Sequence, residues 1–140
     1  MLELPAAVRD EILAHARDGA PEEVVGVLAG RRGDDRSTAE RIYKAENAAE
    51  TPETRYEIAP AEELGLLERA EDAGFDVVGF YHSHPRGPAG PSQTDARLAA
   101  WPGYSYVIVS LAGDAADLGS WRWTGEAFEA EAVDVTASEQ

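Results

Sequence analysis

The stretch 78–95, VGFYHSHPRGPAGPSQTD, carries two of the three histidines of the 140-residue chain and ends on an acid. Residues 77–81 predict a buried strand, because the run is short and rich in β-branched and aromatic side chains. If the strand continues, its two-residue period places the imidazoles of His82 and His84 on one face. Residues 85–91 must then turn the chain, since they hold three prolines and two glycines.

A short helix is predicted after this turn, with Ser92 at the N-cap and Asp95 three residues on. The turn can bring the Asp95 carboxylate back to the two imidazoles. Two imidazoles and one carboxylate are the protein ligands of a catalytic zinc that keeps a position for water. Simpler interpretations stay open: His82 and His84 as solvated or structural residues, and Ser92 with Asp95 as a capping pair only. The combination favours a metal site.

Residues 82–95 have the spacing HxHx7SxxD, which resembles the signature of the JAMM (MPN-plus, JAB1/MPN/Mov34) zinc metalloproteases. That family also has an upstream glutamate in a strand-like segment that ends in glycine, and Glu23, three residues before Gly26, matches it. The resemblance is to archaeal-type, desampylase-like (deubiquitinase-like) members, and it extends over most of the chain. The other matching segments are Asn47 with Pro52, Tyr56-x-Ile58, Pro60-x-Glu62, Pro102–Tyr104, Val107–Ser110 and Trp121–Trp123.

The resemblance implies a fold and a domain organisation. Helices interleaved with strand runs indicate a single α/β sheet domain. The family refines this to a mixed curved β-sheet flanked by helices, the MPN/JAB1 (cytidine-deaminase-like) fold. The domain is expected to span residues 1–140, with about 136–140 as a frayed tail. No repeat or linker divides the chain.

The resemblance also gives each candidate site residue a role. His82, His84 and Asp95 would hold one Zn²⁺ per chain. Glu23 would act as general base, and Ser92 would donate a hydrogen bond to the developing oxyanion. Glu22 is the competing acid, because neighbouring residues of a strand face opposite ways. The spacing to the glycine of the family pattern favours Glu23.

The implied reaction is hydrolysis by metal-activated water, with no covalent enzyme intermediate. A zinc ion lowers the pKa of a bound water to about 7 and polarises a carbonyl. The resemblance implies cleavage of isopeptide and linear bonds after the C-terminal Gly-Gly of ubiquitin-like modifier proteins, so these modifiers and their lysine-linked conjugates are the expected partners. Two alternatives stay open: a peptidase that processes a sulfur-carrier C-terminus or a small peptide, and a non-catalytic MPN scaffold.

Composition narrows the function classes. The chain has 27 acidic and 12 basic residues, a formal net charge of −15, and no cysteine. Such a chain repels nucleic acid and has no disulfides or thiolate ligands. Dispersed acids with Lys44 as the only lysine indicate a halophilic protein of the haloarchaeal type. No apolar run is long enough to span a membrane, and no signal peptide is evident, so a cytoplasmic location is expected. The oligomeric state is not indicated.

Hydrophobic periodicity predicts the remaining elements. Val8, Ile12 and Ala16 form an apolar stripe on the first helix, and His15 lies off it as a surface residue. On the second helix, the apolar face is expected to include Leu64. The predicted helices are 5–19, 60–73 and 93–100, and the predicted strands are 23–29, 39–45, 54–58, 77–82, 104–111, 118–123 and 127–135.

Overall fold

The computed structural model describes residues 1–113 and 115–137. Its elements are β1 (Leu2–Pro5), α1 (Ala6–Gly19), β2 (Val25–Arg31), β3 (Ser37–Ala45), α2 (Pro60–Asp72), β4 (Asp76–His84), α3 (Gln93–Leu98), β5 (Ser105–Ser110), β6 (Asp117–Trp123), β7 (Phe128–Glu131) and β8 (Val133–Thr136). The strands form one eight-stranded sheet in the order β7-β6-β5-β4-β2-β3-β1-β8. Parallel and antiparallel pairs both occur, so the predicted α/β fold with a mixed, curved sheet and flanking helices is confirmed.

β4 lies near the centre of the sheet, antiparallel to β2 and parallel to β5. Its two faces belong to two apolar clusters. Tyr81 packs in the cluster that includes the α1 stripe, which is buried as predicted. Phe80 packs in the cluster that includes Leu66 and Ala70 of α2. His82 follows Phe80 by two residues and therefore faces the α2 side of the sheet.

Two edge pairings were not predicted from the sequence. β1 is a strand and pairs in parallel with both β3 and β8. The predicted terminal hairpin is correct for β6 and β7, but the chain then leaves that edge, and β8 pairs with β1 instead. Thr136, where the frayed tail was expected to start, is the last residue of β8. The rest of the predicted tail lies largely outside the described residues.

The predicted strand over 54–58 is wrong. The side chain of Asn47 takes the hydrogen bonds that a neighbouring strand would make: its amide nitrogen donates to the Arg55 carbonyl oxygen (3.0 Å), and its Oδ1 accepts from the Glu57 N–H (3.1 Å). Asparagine side chains compete with regular ladders in this way. Residues 51–59 therefore form an irregular loop over the α2 side of the sheet.

Two side chains lie differently from the sequence interpretation. Leu64 is 58% exposed, because it lies about 200° around α2 from the buried Leu66. His15 is half-buried, and its Nδ1 lies 2.7 Å from the Tyr81 hydroxyl oxygen. Helical periodicity alone does not show that the hydroxyl group of Tyr81, a residue of the sheet, lies within hydrogen-bonding distance of the first helix. None of the three helices in the described ranges has the length and hydropathy that a membrane span requires.

Gly79→Ala is expected to destabilise the fold by about 3 kcal/mol. A Cβ at Gly79 would lie 1.8 Å from the Ser105 carbonyl oxygen, in backbone that is paired between β4 and β5 and cannot retreat. Urea denaturation at constant salt measures the change. Gly65→Ala is the matched control: a Cβ there meets nothing within 4 Å. Alanine within a helix should stabilise the protein by about 0.5–1 kcal/mol. Equal stability of the two variants would contradict the prediction.

Candidate metal centre

The two histidines of the HxH pair lie at the end of β4, which runs two residues further than predicted. His82 and His84 are almost completely buried, and their Nε2 atoms lie 3.2 Å apart. The strand period aims both rings to the same side, as the sequence predicts. The paired imidazoles are therefore fixed by the central part of the sheet.

The N-terminus of α3 supplies the third group. Ser92 and Asp95 form a capping box: the Ser92 Oγ accepts from the Asp95 N–H (3.0 Å), and the Ser92 N–H donates to Asp95 Oδ2 (2.9 Å). The same carboxylate lies 3.3 Å from His82 Nε2 and 3.0 Å from His84 Nε2. The capping role and the ligand role, which the sequence left as alternatives, are therefore compatible. The capping box therefore orients the Asp95 carboxylate towards the two imidazoles.

The donor set fits a metal ion. The Nδ1 of His84 lies 2.9 Å from the Pro88 carbonyl oxygen, which can only accept, so the proton of the neutral ring is on Nδ1. The Nε2 of His84 then faces the Asp95 carboxylate and the other imidazole. Against the effect of burial, Asp95 raises the pKa of His84, so a metal ion would take the place of a proton at Nε2. Ligand atoms at 2.0–2.1 Å from a tetrahedral zinc lie about 3.3 Å apart. The observed spacings of 3.0, 3.2 and 3.3 Å agree with that value.

Glu23 lies just before β2, and its main chain is held from two sides. Its N–H donates to the Pro52 carbonyl oxygen (2.7 Å), and its carbonyl oxygen accepts from the Asn47 side-chain amide (2.9 Å). The next residue, Val24, is bonded to Ser83 of β4: the Val24 N–H donates to the Ser83 Oγ (2.9 Å), and its carbonyl oxygen accepts from the Ser83 N–H (3.1 Å). These contacts fix the acid relative to the HxH strand.

The Glu23 carboxylate points into the cluster. One oxygen of Glu23 and one nitrogen each of His82 and His84 all lie within 4.8 Å of one another. Within the described ranges, the Glu23 Oε1 is the buried side-chain atom that lacks a hydrogen-bond partner. Glu22 is exposed. Asp95 is closer to both imidazoles than Glu23 is, so the two carboxylates approach the imidazole pair at different distances.

The surroundings of the cluster shift the pKa values of its carboxylates and imidazoles in different directions. Burial raises the pKa of Glu23 to about 7, against the opposing effect of His84. Burial would also raise the pKa of Asp95, but contacts with the two imidazoles hold it well below its ordinary value. Burial lowers the pKa of His82, which keeps the ring neutral, the form that binds a metal. Glu23 is thus poised to exchange protons near neutral pH.

Two further residues, Tyr56 and Asn47, contact residues of the site, although no role was predicted for them. The Tyr56 ring stacks on His82, with ring centroids 4.3 Å apart and an interplanar angle of 27°. Asn47 connects Glu23 to the loop that carries Tyr56, because the same amide nitrogen also donates to Arg55. The sequence marked both only as matches to the family pattern. An asparagine followed by a proline-containing loop was the available signal.

A cavity of about 440 Å³ lies beside the metal centre. Tyr56 lines it, so one aromatic ring touches both the cavity and His82. Aromatic and apolar side chains form much of the remaining lining, with several charged residues among them. The cavity is the place next to the site where part of a substrate can be accommodated.

A mixed sheet that brings two imidazoles and two carboxylates together from β4, α3 and the segment before β2 is the arrangement of a domain of the JAB/MPN type. The family model described as prokaryotic homologs of the JAB domain matches residues 5–124. The chain belongs to this family, and it is a hydrolase.

Relatives and solved structures support this assignment. The desampylase of Haloferax volcanii is 45% identical over 138 residues, 96% of each chain. The CysO-cysteine peptidase of Mycobacterium tuberculosis is 41% identical over 110 residues, 79% of this chain and 73% of that protein. A solution structure of a Desulfitobacterium hafniense protein covers 100% of this chain and 94% of its own, at 34% identity and a TM-score of 0.87. A JAB1/MPN domain protein of Archaeoglobus fulgidus shares the fold: 19% identity, TM-score 0.63 and 97% of each chain.

Proposed function

We propose that this chain is a zinc isopeptidase that cleaves the bond after the C-terminal Gly-Gly of ubiquitin-like modifier proteins. The observation that supports it best is the cluster of two imidazoles and the Asp95 carboxylate, with the Glu23 carboxylate beside the imidazoles and its Oε1 without a hydrogen-bond partner among the described residues. His82, His84 and Asp95 would hold the ion. A bound zinc would supply Lewis acidity to a water and to the substrate carbonyl.

The residues of the chain divide the remaining work. Glu23 accepts the proton of the attacking water and passes it to the leaving lysine amine, a role that suits a buried carboxylate whose Oε1 has no hydrogen-bond partner among the described residues. The Ser92 Oγ already accepts a hydrogen bond from Asp95, so its own O–H can donate to the oxyanion. The neutral His82 ring is held between Tyr56 and the sheet.

The relatives and the geometry both support this substrate class. One relative is named a desampylase and another a CysO-cysteine peptidase, so removal of a residue from a sulfur-carrier C-terminus is the second candidate. Glycine suits a tail that must bring its carbonyl to a buried centre, because it has no side chain to clash. The proposal includes one domain over residues 1–140 that works in a salt-rich cytoplasm, in keeping with the net charge of −15.

The first test uses a ubiquitin-like protein joined through its Gly-Gly terminus to the lysine of a target, in molar salt. Cleavage that requires zinc and is abolished by a chelator is the expected result. A parallel substrate carries a single cysteine after the Gly-Gly. Preference for that substrate would favour the sulfur-carrier candidate. If folded, zinc-loaded protein cleaves neither substrate, the proposal is wrong.

Ser92→Ala is expected to lower kcat about 10²–10³-fold, the usual effect of removing an oxyanion donor. The lost cap should reduce stability by only about 1 kcal/mol, because the Ser92 N–H that holds Asp95 is retained. Steady-state kinetics and urea denaturation measure the two effects separately. An unchanged kcat combined with the stability loss would reduce Ser92 to a capping residue.

A further inference from the structure

The cavity is separated from the candidate metal centre by about two residues along β4. Phe80, in its lining, precedes His82 by two residues on the same face of β4. Two residues of a strand span about 6.6 Å. An extended tail with its last carbonyl at the metal centre would therefore place its third residue from the end at the cavity. In a tail that ends in Gly-Gly, that residue directly precedes the two glycines.

The aromatic lining of the cavity is firmly held. The Phe80 ring packs against Trp101 (centroids 5.5 Å apart) and Tyr106 (5.8 Å). The Tyr106 hydroxyl oxygen accepts from the Trp101 N–H (3.2 Å), which fixes the loop that carries the indole. Two glycines have no side chain to fill such a space. A long side chain with an extended apolar stem fits it.

The charge in the lining is negative. Three glutamates, Glu50, Glu57 and Glu63, line the cavity with one cation, Arg55. Glu63 is half-buried, and its carboxylate makes no hydrogen bond or ion pair with any residue within 1–113 and 115–137. A partly buried carboxylate beside several aromatic rings is a favourable place for a guanidinium or an ammonium group, through an ion pair and cation–π contact.

We propose that this cavity receives the arginine or lysine side chain of the residue before the Gly-Gly of the modifier, with Glu63 as its ion-pair partner. The inference rests on the proposed function and specifies which modifier tails it accepts. The side chains of the first and third residues of an extended tail face the same way. The glycine at the first position leaves that face clear, so the basic side chain at the third position enters the cavity unobstructed.

The test compares modifiers that end in Arg-Gly-Gly, Met-Gly-Gly and Glu-Gly-Gly, each joined to the same lysine-bearing target and cleaved by zinc-loaded protein. The kcat/KM is expected to be highest for the arginine tail, about tenfold lower for the methionine tail, and lowest for the glutamate tail. Glu63→Gln should remove the difference between arginine and methionine by slowing the arginine substrate about tenfold and leaving the methionine substrate unchanged. Glu63→Arg should reverse the order.

Glu68→Gln is the matched control, because it removes the same charge from an exposed position of α2. It should keep the full preference for arginine. Equal cleavage of all three tails, or a Glu63→Gln variant that keeps the preference, would overturn the inference while the isopeptidase function stands. The inference would also be overturned if kcat/KM depended on basic residues of the target protein and not on the residue before the Gly-Gly of the modifier. Failure to cleave any of the tails would count against the function itself.

Discussion

Replacing Glu23 by glutamine is expected to lower kcat by about 10²–10⁴-fold, the usual contribution of a general base. Glutamine has nearly the same shape and cannot take up the proton of the attacking water. The main-chain hydrogen bonds of this position, to Asn47 and Pro52, do not involve the side chain and should remain. Steady-state cleavage of a Gly-Gly conjugate with zinc in excess measures the loss.

Glu22→Gln is the control for this variant, since it makes the same change one residue earlier at an exposed position. Its kcat should stay close to that of the parent. If Glu22→Gln is the slower of the two, the general base has been assigned to the wrong acid. Zinc content measured on both proteins separates a lost base from a lost metal.

The same Glu23→Gln change is expected to stabilise the metal-free protein at pH 8. Burial raises the pKa of Glu23 from 4.5 to about 7, so the folded state holds the proton more tightly than the unfolded state does. The parent therefore loses stability as the pH rises from about 4.5 to about 7, and glutamine is not subject to this loss. Thermal unfolding in chelator at pH 5 and pH 8 measures it. A variant that is no more stable at pH 8 would contradict the prediction.

His82→Ala is expected to lower kcat/KM by more than roughly 10–100-fold, which is the usual loss when a residue that hydrogen-bonds to a metal ligand is removed. The ring is fully buried, and its Nε2 lies 3.2 Å from that of His84 and 3.3 Å from Asp95. Without it, two ligands remain for the ion, and the neighbouring Tyr56 ring loses its stacking partner. Bound zinc per chain and kcat/KM should fall together.

The third histidine provides the comparison. His15 bonds the Tyr81 hydroxyl from α1 and has no contact with the cluster, so His15→Ala should retain the zinc and the activity. Some loss of stability is expected there, because the buried Tyr81 hydroxyl would lose its partner. Full zinc occupancy in His82→Ala would show that this imidazole is not a ligand.

Much of the site could be predicted from the sequence, because most of its residues lie close together in the chain. Their spacing follows from the two-residue period of a strand and from the capping pattern of a helix. The strand period pairs His82 with His84, and the capping pattern places Asp95 three residues after Ser92. The structure brings these residues together with Glu23, as expected. The choice between Glu22 and Glu23 needed either the family pattern or the observed burial, since strand periodicity does not distinguish them.

The parts that sequence reasoning missed depend on contacts between distant segments. β1 is four residues long, and its pairing with β8 joins opposite ends of the described chain. No local pattern encodes that pairing. Residues 54–58 have strand composition, but the Asn47 side chain holds them in a loop. The exposure of Leu64 depends on the phase of α2 against the sheet, which a helix with few large apolar residues defines poorly.

Main-chain atoms hold much of the candidate metal centre in place. A carbonyl orients His84, a backbone N–H orients Asp95, and the Pro52 carbonyl oxygen, together with the Asn47 side chain, anchors the main chain of Glu23. The cavity beside it, in contrast, is shaped by exchangeable side chains from the 51–59 loop, α2 and the segment before β5. Under the proposed function, substitutions among these lining side chains would change which modifier tail is accepted and would leave the main-chain supports of the candidate metal centre unchanged.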